Sequence, residues 1–169
     1  MESTRFGPVR SKTVTWHDPL AAAAVGLTLA GIDHLQAVAD GELPPPPIAV
    51  LMGFGLTSVR PGEVVFTCTP DESVYNPIGT VHGGLVCALL DSVCGCAVQS
   101  TLPQGQGYTS VEIKVSFLRA VHAGTALSAT GRIVKPGRRV AFSEGEVRDA
   151  DGKLVAAATS TCLVFDLPQ

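Results

Sequence analysis

The most apolar segment of the chain lies near its centre, where residues 85–102 read LVCALLDSVCGCAVQSTL. This run is about five helical turns long, and its apolar residues fall on nearly every face, which predicts a helix buried on all sides. Asp91 is the single carboxylate within it. Because burying an unpaired charge is costly, Asp91 should either favour its protonated form or open onto a cavity. The alternative is a structural carboxylate that meets a polar edge or a backbone donor.

Extended runs flank this segment on both sides and predict strands. Residues 48–59 and 64–69 lie on either side of a Pro-Gly turn and predict a hairpin. Four longer runs follow the helix and should form an antiparallel meander: residues 108–120, 125–134, 139–149 and 153–165. Runs of strands around a single helix indicate the α+β class, with an antiparallel sheet wrapped around the apolar helix.

The first 47 residues predict a helical extension to this domain. Asp18 is a suitable N-cap, Pro19 fits the first helical position and Gly41 follows the last periodic residue, so one helix is expected between Asp18 and Gly41. The prolines at positions 44–47 then end any helix and form a stiff spacer. The predicted organisation is an N-terminal helical arm with a proline-rich linker, residues 1–47, followed by one domain, residues 48–169.

Composition and charge narrow the classes of function. The 169 residues carry a net charge of -3, and the basic residues are scattered, whereas nucleic-acid binders usually have a basic stripe. No apolar run reaches the ~20 residues of a membrane span, and no signal sequence is visible, so we expect a cytoplasmic protein that binds neither nucleic acid nor membranes. The cysteines should be free buried thiols without a metal: Cys68, Cys87, Cys94, Cys96 and Cys162.

A second informative group precedes the apolar helix, in the segment NPIGTVHGG. His82, Gly83 and Gly84 lie where the helix should begin, and a helix N-terminus offers unpaired N–H donors and a partial positive charge. Such donors suit a developing oxyanion, and glycine lets a ligand approach the backbone closely. Each part also has a structural explanation, because Asn76 can start a turn, His82 can cap a helix and the glycine pair can form a tight turn.

Together these residues read N-x-x-G-x-x-H-G-G-x-x-x-x-x-x-D, which resembles the signature of the hotdog-fold acyl-CoA thioesterases, in particular the PaaI-like branch named after phenylacetate degradation. The segments SVEIKVSFLRAV, GRIVKPGRRVAF and DADGKLVAAATSTCLVF resemble the sheet of that family, so the likeness covers about residues 48–165. It implies a hotdog fold and the hydrolysis of an acyl-CoA to the free acid and CoA. It implies no cofactor other than the coenzyme A of the substrate.

The resemblance also implies a role for each residue of the motif. Asn76 and the segment His82–Gly83–Gly84 would orient and polarise the thioester carbonyl, with the Gly83 N–H as the donor. We include Gly84 among the residues that contact substrate. A serine elbow of the G-x-S-x-G type is absent from the sequence, which disfavours a serine triad.

The acid and its surroundings complete the predicted site. By resemblance, Asp91 would act as nucleophile or activate water, and Ser110, or its neighbour Thr109, would help to position that water. Arg138 and Arg139 belong to the local basic cluster KPGRR on a predicted hairpin tip, where they could bind the phosphates of CoA. A solvated turn is the alternative explanation for this cluster.

The spacing within the motif predicts an assembly. Gly83 and Asp91 are eight residues apart, about 12 Å along a helix, whereas a thioester carbon must lie within about 3–3.5 Å of its attacker. Two antiparallel copies could supply both groups, so we expect a homodimer with two shared sites, with a dimer of dimers left open. Two other functions also stay open, an acyl-thioester hydratase or dehydratase and a non-catalytic acyl-CoA-binding protein.

Overall fold

The structure, a computed structural model, describes residues 6–167, and its centre is a six-stranded antiparallel sheet. The strands are β1 (Phe54–Arg60), β2 (Glu63–Cys68), β3 (Gln106–Phe117), β4 (Leu127–Lys135), β5 (Val140–Asp149) and β6 (Leu154–Asp166). Their order across the sheet is β1-β2-β4-β5-β6-β3. The predicted hairpin is confirmed by the pairing of β1 with β2.

The prediction of a four-stranded meander is wrong for β3. Strands β4, β5 and β6 are consecutive neighbours, but β3 pairs only with β6 and forms an edge of the sheet. The connection from β3 to β4 is too long for a tight hairpin. It carries a buried residue, Val121, whose carbonyl oxygen accepts a hydrogen bond from the Val81 N–H at 2.9 Å. The chain therefore crosses to the β2 side of the sheet before β4 begins.

One long helix, α4 (Gly83–Gln99), packs against one face of the sheet. Its buried residues are mostly apolar: Leu85, Val86, Leu89, Leu90, Val93, Cys94, Gly95, Ala97 and Val98. Helix and sheet approach so closely at Gly131 of β4 that a Cβ there would lie 2.0 Å from the carbonyl oxygen of Val93. The prediction of burial on all sides is wrong at Asp91, which is exposed, because a single sheet covers only part of the circumference of the helix.

The arm contains two helices, α1 (Pro19–Gly26) and α2 (Gly31–Ala39), where a single helix was predicted. The predicted cap is confirmed, because the Asp18 side chain accepts a hydrogen bond from the Leu20 N–H at 2.9 Å. The corner between the helices exists because α2 begins directly against α4: a Cβ on Gly31 would lie 1.9 Å from the carbonyl oxygen of Gln99.

The proline segment leads into a third short helix, α3 (Pro47–Met52), so the prediction of an extended run from residue 48 is wrong for its first part. Pro47 occupies the start of this helix, where a missing N–H costs nothing. Gly53 ends the helix in the left-handed conformation, with φ of 72°. A 3-10 helix (Glu72–Val74) precedes the motif loop.

The hydrophobic core draws on both predicted parts of the chain. The main cluster joins α4 to β2, β4 and β6, and it includes Leu35 of α2, which is only 5% exposed. A smaller cluster lies around Val98 and Cys162. The arm therefore packs into the core that α4 and the sheet form, and the boundary between residues 47 and 48 stays a prediction.

Candidate active site

The loop before α4 is shaped by the Asn76 side chain. Its Oδ1 accepts hydrogen bonds from the N–H groups of Ile78 and Thr80, both at 3.1 Å, and its Nδ2 donates to Thr80 Oγ1 at 2.9 Å. The Asn76 N–H also donates to the Thr80 carbonyl at 2.8 Å. In this structure the amide therefore closes its own loop, as the turn interpretation of Asn76 predicted.

At the start of α4, His82 acts as the N-cap. Its Nδ1 accepts the Gly84 N–H at 2.8 Å, so the neutral ring carries its proton on Nε2. The Gly84 N–H is thus used within the helix end. The N–H of Gly83, the first helical residue, donates to no group within residues 6–167. The helix end therefore presents one free, positively polarised donor, at Gly83.

This donor faces a cleft of about 420 Å³ that Gly83 shares with Asn76 and Phe117. A Cβ on Gly83 would lie 3.2 Å from the Phe117 ring, so the close approach of that ring leaves little space for a side chain. Among the predicted residues, the structure brings Asn76, His82, Gly83 and Gly84 together around the N-terminus of α4.

Asp91 lies two helical turns further along α4, and its partner is Ser110 of β3. The Ser110 hydroxyl donates to Asp91 Oδ1 at 2.8 Å. A β-bulge directly follows Ser110, where the pairing with β6 shifts by one residue around Val111. Bulges re-aim side chains next to active sites. The hydrogen bond selects Ser110 over Thr109, whose side chain is exposed.

Asp91 opens onto a cavity of about 330 Å³, which is one of the two outcomes expected for this carboxylate. Polar groups of α4 and β3 line it next to Asp91, among them Cys96 and Tyr108. Burial raises the pKa of the Cys96 thiol to about 12, and the negative charge of Asp91 adds to that rise. Burial likewise holds the pKa of Tyr108 well above its usual range. Both groups stay protonated at neutral pH, which leaves the thiol a poor nucleophile.

The two halves of the predicted site thus lie in separate cavities of one chain. Gly83 and Asp91 share α4, about 12 Å apart along its axis, and neither cavity is lined by both residues. Arg138 and Arg139 are exposed and line neither cavity.

Several cavity residues were not predicted from the sequence. Ser92, Cys96 and Gln99 follow Asp91 on one face of α4 and all line its cavity. Their spacing of four and three residues is that of one helical face, so a polar stripe on an otherwise apolar helix was a signal that could have found them. Tyr108, which precedes Ser110 by two residues on β3, gave no comparable signal.

The cysteines were predicted to be free, buried and without a metal. All five cysteines are free, and the prediction of burial holds for Cys68, Cys94 and Cys162 but is wrong for Cys87 and Cys96, which are half-buried. Within residues 6–167, no three His, Cys, Asp or Glu side chains are grouped as a metal site would require. The same part of the chain has no helix of the length and hydropathy that a bilayer crossing needs.

Comparison with known proteins places this geometry in a family. The family model described as "Thioesterase superfamily" matches residues 78–156, which include Gly83, Asp91 and Ser110. A human protein named acyl-coenzyme A thioesterase 13 is 31% identical over 113 residues, which is 66% of this chain and 80% of that protein. The chain belongs to the thioesterase superfamily.

Solved structures agree with this membership. A phenylacetic acid degradation-related protein from Ralstonia eutropha JMP134 is 34% identical, with a TM-score of 0.70 over 76% of this chain and 98% of that one. A hypothetical thioesterase from Streptococcus pneumoniae TIGR4 with coenzyme A is 26% identical, with a TM-score of 0.63 over 69% and 92% of the two chains. The predicted α+β hotdog fold, the PaaI-like resemblance and the class of thioester hydrolase are confirmed.

Replacing Ser110 with Ala is expected to lower kcat of this superfamily member about tenfold, because a hydrogen bond to a charged group contributes about 1.5–3 kcal/mol. KM should change little, since Ser110 is not itself one of the residues that line the cavity. Steady-state kinetics on a thioester substrate measures both constants. The matched control is Thr109→Ala on the same strand, and an equal loss in the two variants would contradict a role for the Ser110–Asp91 hydrogen bond.

Proposed function

We propose that this thioesterase hydrolyses acyl-CoA at two equivalent sites, each formed by Gly83 of one protomer and Asp91 of its partner. The observation that carries the proposal is the separation of these two groups on α4, each in its own cavity. The acyl-CoA class is supported by the name of the human relative and by the coenzyme A in the streptococcal structure.

In the proposed reaction the free N–H of Gly83 donates to the thioester oxygen and polarises the carbonyl. The partial positive charge at the start of α4 strengthens this donor as negative charge develops on the oxygen. The His82 cap supports the arrangement, because it occupies the next N–H and fixes the helix end. Asn76 keeps the preceding loop closed, which holds the donor in place.

Asp91 supplies the other half of the chemistry. Its carboxylate either takes a proton from a water that attacks the thioester carbon or attacks that carbon itself, and the C–S bond then breaks. In the first route the thiolate of CoA leaves and takes up the proton that Asp91 removed from water, which gives the free acid and CoA. In the second route the thiolate leaves and is protonated by solvent, and water then hydrolyses the mixed anhydride of Asp91 and the acyl group to the free acid and a free Asp91. Ser110 keeps one carboxylate oxygen in place, which leaves the other oxygen available for the reaction.

The edge strand β3 supports the proposed dimer. This strand has twelve residues and a neighbour on one side only, so its outer row of N–H and C=O groups is available to a second copy. Val111 and Phe117 on this strand, and Leu118 directly after it, are exposed at 59%, 57% and 53%. An exposed apolar edge beside Ser110 and Phe117 fits a second copy that completes both half-sites.

Arg138 and Arg139 are the proposed contacts for the CoA phosphates. They lie in the turn between β4 and β5, both side chains are exposed, and neither forms an ion pair with another described residue. Two adjacent guanidinium groups suit the diphosphate and ribose phosphate of CoA.

A mixed dimer tests the shared site. One protomer carries Asp91→Asn and the other Gly83→Pro, with different affinity tags, and the mixed species is purified through both tags. One of its two sites then has both groups intact, so we expect about half of the wild-type activity per dimer. Release of free CoA, followed with a chromogenic disulfide, measures hydrolysis, and a hydratase or a mere acyl-CoA binder would release none.

The two homodimers of the variants serve as controls, and each should be nearly inactive. A mixed dimer as inactive as its parents would mean that each site takes both groups from the same chain. That result would refute the shared site and leave the thioesterase class intact.

A further inference from the structure

The cavity at Asp91 has a wall that the thioesterase core does not provide. The side opposite Asp91, Ser92 and Cys96 is formed by the N-terminal arm, through the helices α1 and α2 and the proline segment before α3. Residues from the arm that line the cavity include Ala22 and Ala23 of α1, Val38 of α2, and the prolines at positions 44–47.

This wall is fixed to the core at several points. The Gln99 side chain of α4 forms a hydrogen bond with His34 Nδ1 of α2 at 3.0 Å, and the Gly31 N–H donates to the Leu102 carbonyl at 3.0 Å. Burial of His34 lowers its pKa, which keeps the ring neutral and able to serve as a partner for Gln99 at neutral pH. These hydrogen bonds hold the arm against the core, so the arm forms a fixed part of the cavity wall.

The chemistry of the lining indicates which part of the substrate enters. Among residues 6–167, Asp91 is the only carboxylate that lines the cavity, and no Lys or Arg lines it. The phosphates of CoA would find no lysine or arginine side chain there. Apart from two histidines, the arm contributes only proline, alanine, leucine and valine to the lining, and these surfaces favour a hydrocarbon chain because each buried methylene leaves water.

We propose that the arm forms the end wall of the acyl subsite and that Ala22, Ala23 and Val38 determine how long an acyl chain the enzyme accepts. This inference rests on the proposed acyl-CoA hydrolysis and adds specificity-determining residues to it. The thioester carbon lies at Asp91, and the acyl chain extends from there toward α1 and α2. Small residues at positions 22 and 23 leave space that larger side chains would fill.

Helix α1 provides a matched pair of positions for the test. Ala22 lines the cavity, whereas Ala24 is exposed and lines none of the cavities described above. Leucine is accepted in a helix almost as well as alanine, so Ala22→Leu and Ala24→Leu differ mainly in what the new side chain meets. Val38→Ala enlarges the same cavity from α2 and gives a variant with the opposite expected effect.

The experiment measures kcat/KM of the full chain and its variants for acetyl-, butyryl-, hexanoyl-, octanoyl- and decanoyl-CoA. For Ala22→Leu we expect a loss of about tenfold or more on the longest chains that the wild type accepts, and less than about twofold on acetyl-CoA. Ala24→Leu should keep the wild-type profile. Val38→Ala should shift the preference toward longer chains.

The outcomes separate this inference from the proposed function. A wild type that hydrolyses none of these substrates would overturn the proposed acyl-CoA activity. An active wild type whose profile is the same in Ala22→Leu and Ala24→Leu would overturn only the role of the arm. An equal loss on acetyl- and decanoyl-CoA in Ala22→Leu would also overturn it, because the arm would then contact a part common to all substrates. Melting temperatures within a few degrees of the wild type show that each variant is folded.

Discussion

Replacing Asp91 with Asn is expected to lower kcat by about three orders of magnitude, the middle of the range for a lost acid–base group. Asn has nearly the same shape as Asp, and its carbonyl oxygen can still accept a hydrogen bond from the Ser110 hydroxyl. The hydrogen bond that measures 2.8 Å in the wild type can therefore still form. It can neither take a proton from water at neutral pH nor attack a thioester. Steady-state release of CoA from an acyl-CoA substrate measures the loss.

Asp91→Ala should lose at least as much activity, and both variants should fold. Asp91 is exposed in the protomer, so its replacement leaves no buried cavity, and we expect the free energy of unfolding to change by no more than about 0.5 kcal/mol. Asp33→Asn on α2 is the matched control, because that exposed acid lines neither half-site. Wild-type kcat in Asp91→Ala would refute the mechanism.

The second large effect is expected from Gly83→Pro, which should lower kcat by about 10²–10³-fold, as the loss of one oxyanion donor typically does. Proline removes the N–H of residue 83 and is favoured at the first position of a helix, where that N–H takes no part in the helix. The preceding residue, His82, already has the extended backbone that precedes proline, with ψ of 134°. The change therefore removes the donor and leaves the helix start intact.

Gly83→Ala is the control for the added bulk. Its Cβ meets the same Phe117 ring at about 3.2 Å, but the N–H remains. Phe117 is 57% exposed, so its ring can shift to make room in both variants. We expect kcat of Gly83→Ala to stay well above that of Gly83→Pro in the same CoA-release assay. If the two variants lose the same activity, crowding at residue 83 and not the lost donor explains the effect.

Local patterns in the sequence were sufficient to predict the elements whose conformation is determined by their own residues. The apolar run after Gly84 predicted α4, the Pro-Gly turn predicted the β1–β2 hairpin, and Asp18 predicted the start of α1. The motif placed His82 at a helix N-terminus, where its ring accepts the Gly84 N–H. Each of these contacts is made within a few residues, so short-range physical chemistry decides it.

Features that depend on contacts between distant segments of the chain could not be predicted from local sequence patterns. The break between α1 and α2 results from the contact of Gly31 with the Gln99 carbonyl, 68 residues further along the chain. The place of β3 beside β6 is set by the crossing of the chain through Val121. Tyr108 reaches the cavity because β3 passes α4 at Gly95, where a Cβ would lie 2.4 Å from the Tyr108 hydroxyl. Alternation along a single strand cannot reveal such a neighbour.

The close contact between α4 and Gly131 of β4 has a consequence for how this enzyme can change during evolution. The backbone of α4 lies against the backbone of β4 there, with no side chain between them to yield, so α4, which carries Gly83 and Asp91, has little room to shift against the sheet. The distance between Gly83 and Asp91 along one helix is consequently fixed when the chain folds, and it sets how far apart the two half-sites of each protomer lie. Substitutions in the residues around α4 can therefore alter the properties of the enzyme during evolution, while the position of α4 itself must be kept.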